Sequence, residues 1–224
     1  MCRILFFPQD SMTSRRKWAL VPAFFTIVTA ATLLSAYSGA SSSEGYAPVQ
    51  PIQFPHPVHV QTLGMNCLYC HYSANKSPDP GLPAVGTCMG CHTVIGPNRP
   101  ALDGKPARVS AELKKLQTYA PIGQPDKWKP VPWERIHKLP EYVHFPHMRH
   151  VNAGVTCQSC HGPVQGMAQV AQYSSLNMGW CINCHVKGYK LSDGLMAAGD
   201  TAGAKAVANV EPKKARYDCA VCHY

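Results

Sequence analysis

Five copies of the sequence C-x-x-C-H constrain this chain more than any other feature. They use ten of its eleven cysteines and five of its eleven histidines, within 224 residues. Cysteines three positions apart lie about one turn apart on one side of a helix, and a histidine follows the second cysteine directly. The motifs are Cys67–His71, Cys88–His92, Cys157–His161, Cys181–His185 and Cys219–His223.

This spacing is typical of covalent haem attachment in c-type cytochromes and predicts five haem c groups. Each histidine is the expected proximal ligand of an iron. Zinc sites and redox disulfides also use C-x-x-C pairs, but neither explains a histidine after every second cysteine. The predicted attachment residues are Cys67, Cys70, Cys88, Cys91, Cys157, Cys160, Cys181, Cys184, Cys219 and Cys222, and the proximal ligands are His71, His92, His161, His185 and His223.

The length available for each motif is short. Residues 51–224 provide about 35 residues for each of the five motifs, and the chain has 20 prolines, 17 glycines and only 15% charged residues. So few residues cannot enclose each porphyrin in a conventional core, so we expect the haems to pack against one another. The predicted fold is mostly irregular, with short α-helices.

The formal net charge is +9. Haem propionates would offset much of it, and a patch that docks an acidic redox partner is the alternative use. No basic stripe alternates with aromatic residues, so we do not expect nucleic acid as a partner.

An uncharged stretch of twenty residues, Trp18 to Tyr37, predicts one N-terminal transmembrane helix. At ~1.5 Å per residue it spans about 30 Å, enough to cross a lipid bilayer. Arg15–Lys17 precede it, which predicts a cytoplasmic N-terminus with the rest of the chain outside. A cleaved signal peptide ending near residues 38–40 is the alternative, but the apolar run is longer than usual for one. Cys2 is expected to be a bystander or, less well supported, a lipidation site.

A two-motif module occurs twice. F-P-H-x-x-H-V starts at Phe54 and again at Phe145, and each copy continues through a glycine to two C-x-x-C-H motifs. The first cysteine follows the phenylalanine by 13 residues in the first copy and by 12 in the second. The expected segments are 1–17 (cytoplasmic), 18–37 (anchor), 38–50 (tether), 51–92 (first diheme module), 93–136 (connector), 137–185 (second diheme module) and 186–224 (linker and fifth site).

Histidines outside the motifs are candidates for the distal ligand of each iron. Histidines at i and i+3 of a helical turn project from nearly one face, so each repeat element can serve two neighbouring irons. Met178, shortly before the fourth motif, is a possible thioether ligand, whereas His144 is the weakest candidate because it directly precedes the phenylalanine. The predicted distal histidines are His56 and His59 for the first module, His147 and His150 for the second, and His137 for a further haem.

Residue patterns predict the character of two segments between the motifs. The Pro-rich connector, residues 93–136, contains one expected helix, Ser110–Tyr119, with Ser110 as its cap and an apolar face that includes Leu116. It is either a packed connector or a partner-binding insert. Residues 186–218 are rich in Gly, Ala and Lys. Such a segment can be mobile in the isolated chain and become ordered against another subunit.

No catalytic constellation accompanies the motifs. With six spare histidines and several methionines for five irons, every sixth position can be closed. This favours electron transfer over chemistry on a substrate. A multihaem reductase would need an open position, and a stand-alone quinol dehydrogenase would need a quinol site that no residue here marks.

The segments Trp133–Pro140 (W-x-R-x-H-x-L-P) and Met178–His185 (M-G-W-C-x-x-C-H), with the repeat element and the anchor, resemble the pentahaem subunit of alternative complex III. More broadly, the chain is similar to class III multihaem cytochromes. The resemblance implies an electron-transfer subunit, not an enzyme by itself, on the periplasmic side of a bacterial inner membrane. Implied partners are an iron–sulfur subunit, a quinol-binding membrane subunit and a monohaem cytochrome. It supports His137 and Met178 as ligands, and it weakens His144, whose position is usually aromatic.

Overall fold

The computed structural model describes residues 21–22, 24–33 and 43–223. The chain divides into two units, residues 1–40 and residues 41–224. In the first unit, residues 21–22 and 24–33 are helical and their side chains are exposed. No helix within the described ranges has both the length and the apolarity needed to cross a membrane. Cys2, Arg15–Lys17 and both ends of the stretch from Trp18 to Tyr37 lie outside the described residues.

The second unit consists of short helices joined by mostly irregular backbone, as the composition predicts. None of its described helices is longer than ten residues. The helices are a π-helix, Pro57–Thr62; the α-helices Cys67–Cys70, Val85–His92, Ala111–Tyr119, His147–Asn152, Gln158–His161, Met178–Lys187, Leu191–Ala198, Thr201–Ala206 and Cys219–Cys222; and the 3₁₀ turns Pro125–Lys127 and Val164–Gly166.

Strand pairing is minor in the described residues. Asn98–Arg99 and Arg108–Val109 form a two-stranded antiparallel sheet within the connector, with Asn98 opposite Val109. Single bridges elsewhere join Val143 to His223 and Tyr189 to Lys213. The first bridge attaches the end of the chain to the second module, and the other closes a loop within residues 186–224.

A small apolar cluster joins the connector to the first module. Leu116 and Ala120 of the connector are buried against Ile52 and Met89. The expected helix is confirmed: it runs from Ala111 to Tyr119, and the side chain of its cap, Ser110, accepts a hydrogen bond from the backbone N–H of Leu113. The alternative of a packed connector therefore fits the structure.

Residues 186–218 are more regular than the composition suggested. They contain two helices, Leu191–Ala198 and Thr201–Ala206, and the first packs against the helix of the third motif. The hydroxyl of Tyr189 accepts a hydrogen bond from the backbone N–H of Thr156, whose side chain donates to the carbonyl of Gly194. The tyrosine and the small glycine thus fit this segment against the second module of the same chain, a contact that its composition did not indicate.

The described part of the predicted tether, residues 43–50, is also attached. The N–H of Gly45 donates to the carbonyl of Gln172 at 2.8 Å, and the N–H of Gln172 returns a bond to Tyr46 at 2.9 Å. The side chain of Gln50 exchanges two hydrogen bonds with the backbone of Glu134, each 2.9 Å long. These bonds hold the start of the unit against the segment that enters the second module.

Few side chains of the described residues are buried. The buried apolar residues are small or isolated, such as Ala74, Met89 and Ala204, while many large apolar side chains are exposed. A soluble domain normally buries most of its large apolar side chains. The sparse protein core agrees with the prediction that porphyrins contribute most of the apolar packing.

Candidate haem-binding sites

All five C-x-x-C-H motifs lie on helical turns. In the first, third and fifth motifs, the histidine N–H donates to the carbonyl of the first cysteine, at 2.9, 2.9 and 3.0 Å. The second motif ends the helix Val85–His92, and the fourth lies within Met178–Lys187. One turn therefore brings each pair of thiols to the same side, as covalent attachment to two vinyl groups requires.

Hydrogen bonds at Nδ1 orient four of the five proximal histidines, and in three of them the partner is a backbone carbonyl oxygen. A carbonyl oxygen can only accept, so each of these contacts places the proton on Nδ1 and leaves Nε2 with a lone pair for a metal. His161 differs, because its Nδ1 lies 3.2 Å from Nε2 of His137. The carbonyl partners are Gly81 for His71 at 3.1 Å, Ile95 for His92 at 2.9 Å and Arg216 for His185 at 2.5 Å.

Three repeat histidines each face a proximal histidine. The ring centroids are separated by 6.2 Å for His59 and His92, by 6.0 Å for His150 and His185, and by 6.4 Å for His147 and His161. Metal–imidazole bonds of about 2 Å on each side place two ring centres roughly 6 Å apart. These three pairs therefore have the separation that an iron held between two imidazoles requires, and the residues fit haem.

His56 is the fourth repeat histidine. Burial, then the nearby His71 and His59, lowers its pKa to about 4. Its buried Nδ1 has no hydrogen-bond partner among the described residues. The influence of His71 on this pKa places His56 beside the first motif, in the module to which the sequence assigns both His56 and His59.

The two repeat elements have the same internal geometry. Phe54 stacks on His59 with centroids 4.3 Å apart at 26°, and Phe145 stacks on His150 at 4.3 Å and 27°. Each phenylalanine also contacts the first histidine of its element edge-on, at 4.8 Å for His56 and 4.9 Å for His147. Each phenylalanine thus holds the orientation of the histidines in its own element.

Burial favours the neutral form of several candidate distal ligands. Burial lowers the pKa of His150. Burial also lowers the pKa of His147, because it outweighs the opposite effect of the hydrogen bond from His147 to the Pro78 carbonyl. The pKa of the proximal His161 falls to about 3, first through burial and then through His137 and His147. An imidazole must be neutral to bind a metal, so these environments suit ligation.

Thiols of neighbouring motifs lie close together. Burial, then Cys70, raises the pKa of Cys88, which places the second motif beside the first. The thiols of Cys67 and Cys157 interact, which lowers the pKa of Cys67 and raises that of Cys157. The first motifs of the two modules are therefore also neighbours.

The series continues through the second module. Burial, then Cys184 and Cys181, raises the pKa of Cys160 to about 12, so the third motif lies beside the fourth. Burial, then Cys222, raises the pKa of Cys181, which places the fourth beside the fifth. In space, the second motif comes first in the series and is followed by the first, third, fourth and fifth motifs. In the chain, the first motif precedes the second.

The fifth motif lies against the segment just before the second repeat. The ring of Tyr142 stacks on His223 at 5.7 Å, and the backbone N–H of His144 donates to the carbonyl of Cys222 at 2.7 Å. The sequence alone did not connect this segment with the last motif. The sequence feature that could have indicated this contact is the run of bulky residues Tyr142, Val143 and His144.

The two remaining ligand candidates stay predictions. Met178 starts its helix and is 64% exposed. His137 lies against His161, the proximal histidine of the third motif, with ring centroids 4.2 Å apart.

Neither alternative to haem has its geometry in the described residues. All ten motif cysteines are free, so no disulfide forms among them. The described residues also contain no group of three or more His, Cys, Asp or Glu side chains arranged around one metal position. A tetrahedral zinc site would need such a group.

Comparison with known proteins defines the class first. Residues 149–224 match the cytochrome c3 family. This region contains the third, fourth and fifth motifs. The C-terminal third of the chain is thus similar to a cytochrome c3-type multihaem domain, in agreement with the broader resemblance to class III cytochromes.

A particular relative extends this likeness. The chain is 34% identical over 113 residues to the menaquinone reductase, multiheme cytochrome c subunit, of Nitratidesulfovibrio vulgaris (strain Hildenborough). The matched region covers 50% of this chain and 45% of the relative. The chain thus spans less than half the length of that relative. Both comparisons support haem c and an electron-transfer role, while the narrower resemblance to alternative complex III stays a prediction.

Proposed function

We propose that this chain is the electron-relaying subunit of a quinone-linked membrane oxidoreductase and that it carries five covalently attached c-type haems. The observation that carries the proposal is the continuous series of neighbouring motifs, in which opposed imidazoles flank three of the five attachment sites. Residues 18–37 anchor the chain in the bacterial inner membrane, and the haem-bearing unit lies on the periplasmic side.

The side chains determine how the sites work. Haem supplies an iron that accepts and releases one electron at a time. The cysteines would hold each porphyrin covalently, and each of the three imidazole pairs would supply two nitrogen ligands to one iron. Donation from Nδ1 to a fixed carbonyl keeps the rings of His71, His92 and His185 in one tautomer and one orientation. A site closed on both faces offers no position for a substrate, so the chain relays electrons without transforming a molecule itself.

The complex is proposed to resemble alternative complex III. The motifs of residues 133–140 and 178–185 support this assignment. The partners would be an iron–sulfur subunit, a quinol-binding membrane subunit and a monohaem cytochrome. The similar protein from Nitratidesulfovibrio is named as a subunit of a menaquinone reductase. Electron flow toward menaquinone is therefore the second candidate.

The first test counts haems in the full-length chain, produced with the bacterial cytochrome c maturation system. We expect five haems, and four in a variant that carries both Cys157→Ala and Cys160→Ala. A wild-type content of three or fewer would overturn the proposal. Because the third motif lies in the middle of the series, its loss should slow reduction of the far sites by several orders of magnitude in stopped-flow absorbance. The matched variant Cys88→Ala with Cys91→Ala removes an end of the series and should leave the other four sites connected.

The second test uses the native complex, isolated from membranes through a tag on this chain. Oxidation of a quinol analogue coupled to haem reduction supports the alternative complex III assignment, and haem oxidation by a quinone supports the reductase. Recovery of the chain alone, with rapid haem reduction by quinol, would replace both with a stand-alone quinol dehydrogenase. A high-spin ferric haem in the untreated protein would favour a multihaem reductase.

A further inference from the structure

One motif differs from the others in what holds its proximal histidine. The Nδ1 atoms of His71, His92 and His185 face backbone carbonyls, whereas Nδ1 of His161 faces the side chain of His137 at 3.2 Å. A backbone carbonyl is present at its position whichever side chain that residue carries. The third motif alone among these four depends on a particular residue for this contact.

The tautomers follow from the chemistry of ligation. His161 binds a metal through Nε2, so its proton is on Nδ1 and donates to Nε2 of His137. His137 then carries its own proton on Nδ1. The Nε2 lone pair of His137 is occupied by this bond and is not available to an iron.

The opposite side of the third site is already supplied. The ring of His147 lies 6.4 Å from that of His161 and is nearly parallel to it, at 15°. Its Nδ1 donates to the carbonyl of Pro78 at 3.0 Å, which leaves Nε2 for the metal. Two histidines thus face His161 in different ways: His147 at the separation of an axial pair, and His137 at hydrogen-bond distance.

The backbone around His137 is held on both sides. The Arg135 side chain donates to the carbonyl of His137 at 3.2 Å. The N–H of Lys138 donates to Gln172, which is almost fully buried and also bonds to the carbonyl of Ser174. These contacts restrict where the His137 ring lies.

We propose that His137 is the positioning residue of the third haem site: it accepts the Nδ1–H of His161 and is not a distal ligand of any iron. This inference rests on haem attachment at Cys157–His161. An acceptor at Nδ1 makes the ligand imidazole more basic, which stabilises ferric iron and lowers the reduction potential. His137 would therefore adjust the potential of the site at the centre of the series.

The test compares His137→Phe with His137→Asn in the full haem-loaded protein, by EPR of the oxidised state and by potentiometric titration. With phenylalanine we expect five low-spin haems, a shifted g-value in one low-spin signal and a more positive midpoint potential for that haem. Asparagine offers a carbonyl oxygen, as the backbone does at the other sites, and should restore much of the wild-type potential. His150→Phe is the control for loss of a distal ligand and should produce one high-spin haem.

Three outcomes would overturn the inference. A high-spin signal in His137→Phe would make His137 a distal ligand. Unchanged potentials and g-values would make the contact purely structural. A shift that asparagine does not rescue would point to packing instead of hydrogen bonding. Haem content is measured in the same samples, so a failure of attachment, which would contradict the proposed function, is distinguished from a failure of positioning.

Discussion

The two F-P-H-x-x-H elements present their histidines in the same geometry but from different helices. The first lies on a π-helix, Pro57–Thr62, and the second on an α-helix, His147–Asn152. The first copy has one more residue between its second histidine and the following glycine. A π turn accommodates one inserted residue within a helix. The insertion is absorbed there, and the stacking of phenylalanine on histidine is unchanged.

The hydrogen bonds after the two elements show the same adjustment. The carbonyl of His59 accepts from the N–H of Met65, six residues later, whereas that of His150 accepts from Val155, five residues later. Gly64 and Gly154 then both have positive φ, +68° and +88°. Glycine adopts this conformation without the steric cost of a Cβ. The chain leaves both elements in an equivalent way and reaches the next motif.

The copies differ in how they depend on each other. His147 donates to the Pro78 carbonyl of the first module, and Asn152 donates to the carbonyl of Asn75. The Nδ1 of His56, which corresponds to His147, has no partner among the described residues. The second copy therefore uses the first as part of its support. Four predictions test this comparison.

Replacing equivalent histidines should have the largest effect. His59→Met and His150→Met each exchange one imidazole for a thioether, which raises the potential of the iron it serves. We expect one haem of five to change in each variant, at the second motif for His59 and at the fourth for His150. Potentiometric titration with EPR measures this. Two altered haems in either variant would show that the pairing read from the ring contacts is wrong.

Gly194→Ala should weaken only the second module. A Cβ at Gly194 would collide with the hydroxyl of Tyr189 and crowd Thr156, and overpacking of this kind costs about 1–3 kcal/mol. The midpoint of urea unfolding, followed by absorbance of the haems, reports the loss. Gly96→Ala is the control, because its Cβ would meet no atom within 4 Å. Equal midpoints for the two variants would contradict the close packing of residues 186–218.

Deleting Thr62 should convert the first helix to the register of the second. The deletion removes the surplus residue and one exposed hydrogen bond to the Pro57 carbonyl, so we expect a change within about 1 kcal/mol. Five haems should remain. Deleting Asn152, in the copy without a surplus residue, should instead shift the following motif and lower the haem content. Similar losses from both deletions would show that the π turn is not what absorbs the insertion.

Glu112→Gln should have the smallest effect. The carboxylate accepts the N–H of Gln53 at 2.7 Å and pairs with Lys115 at 2.9 Å. These bonds lower the pKa of Glu112, so its contribution is present at neutral pH and is lost as pH falls through the folded-state pKa. The carboxylate is largely solvated, so solvent screening keeps the loss below about 1 kcal/mol.

Acid unfolding measured from pH 7 to pH 3 checks this prediction. The variant should be less stable at neutral pH and approach the wild type at the acidic end. Glu211→Gln, in the C-terminal segment, controls for the change in net charge. A constant difference across the range would show that the carboxylate charge does not support the first module.

Much of the site could be read from residue patterns. The C-x-x-C-H spacing acts within one helical turn, and the helix Ala111–Tyr119 is specified by a cap and an apolar face. Both are local, because their partners lie within a few residues. The F-P-H-x-x-H element is also local, and its phenylalanine stacks on the second histidine of the element in both copies.

The contacts that the sequence did not predict join residues that are distant in the chain. The Gly/Ala/Lys-rich composition of the linker after His185 allowed a segment that is mobile alone and becomes ordered against another subunit. Its order comes from Tyr189 and Gly194 meeting the loop before the third motif. The contact between Tyr142 and His223 joins residues 81 positions apart, and no local pattern predicts such a pairing.

The sequence by itself determined the number of attachment motifs, the duplication of the two-motif module and the residue types available as ligands, since each depends on spacing within a few residues. Tertiary structure alone decided the spatial order of the motifs, second before first and then third to fifth. It also decided that His137 meets His161 across 24 residues of chain. The physical reason is that these relations arise from the packing of irregular segments, whose paths have no periodic pattern from which to infer them.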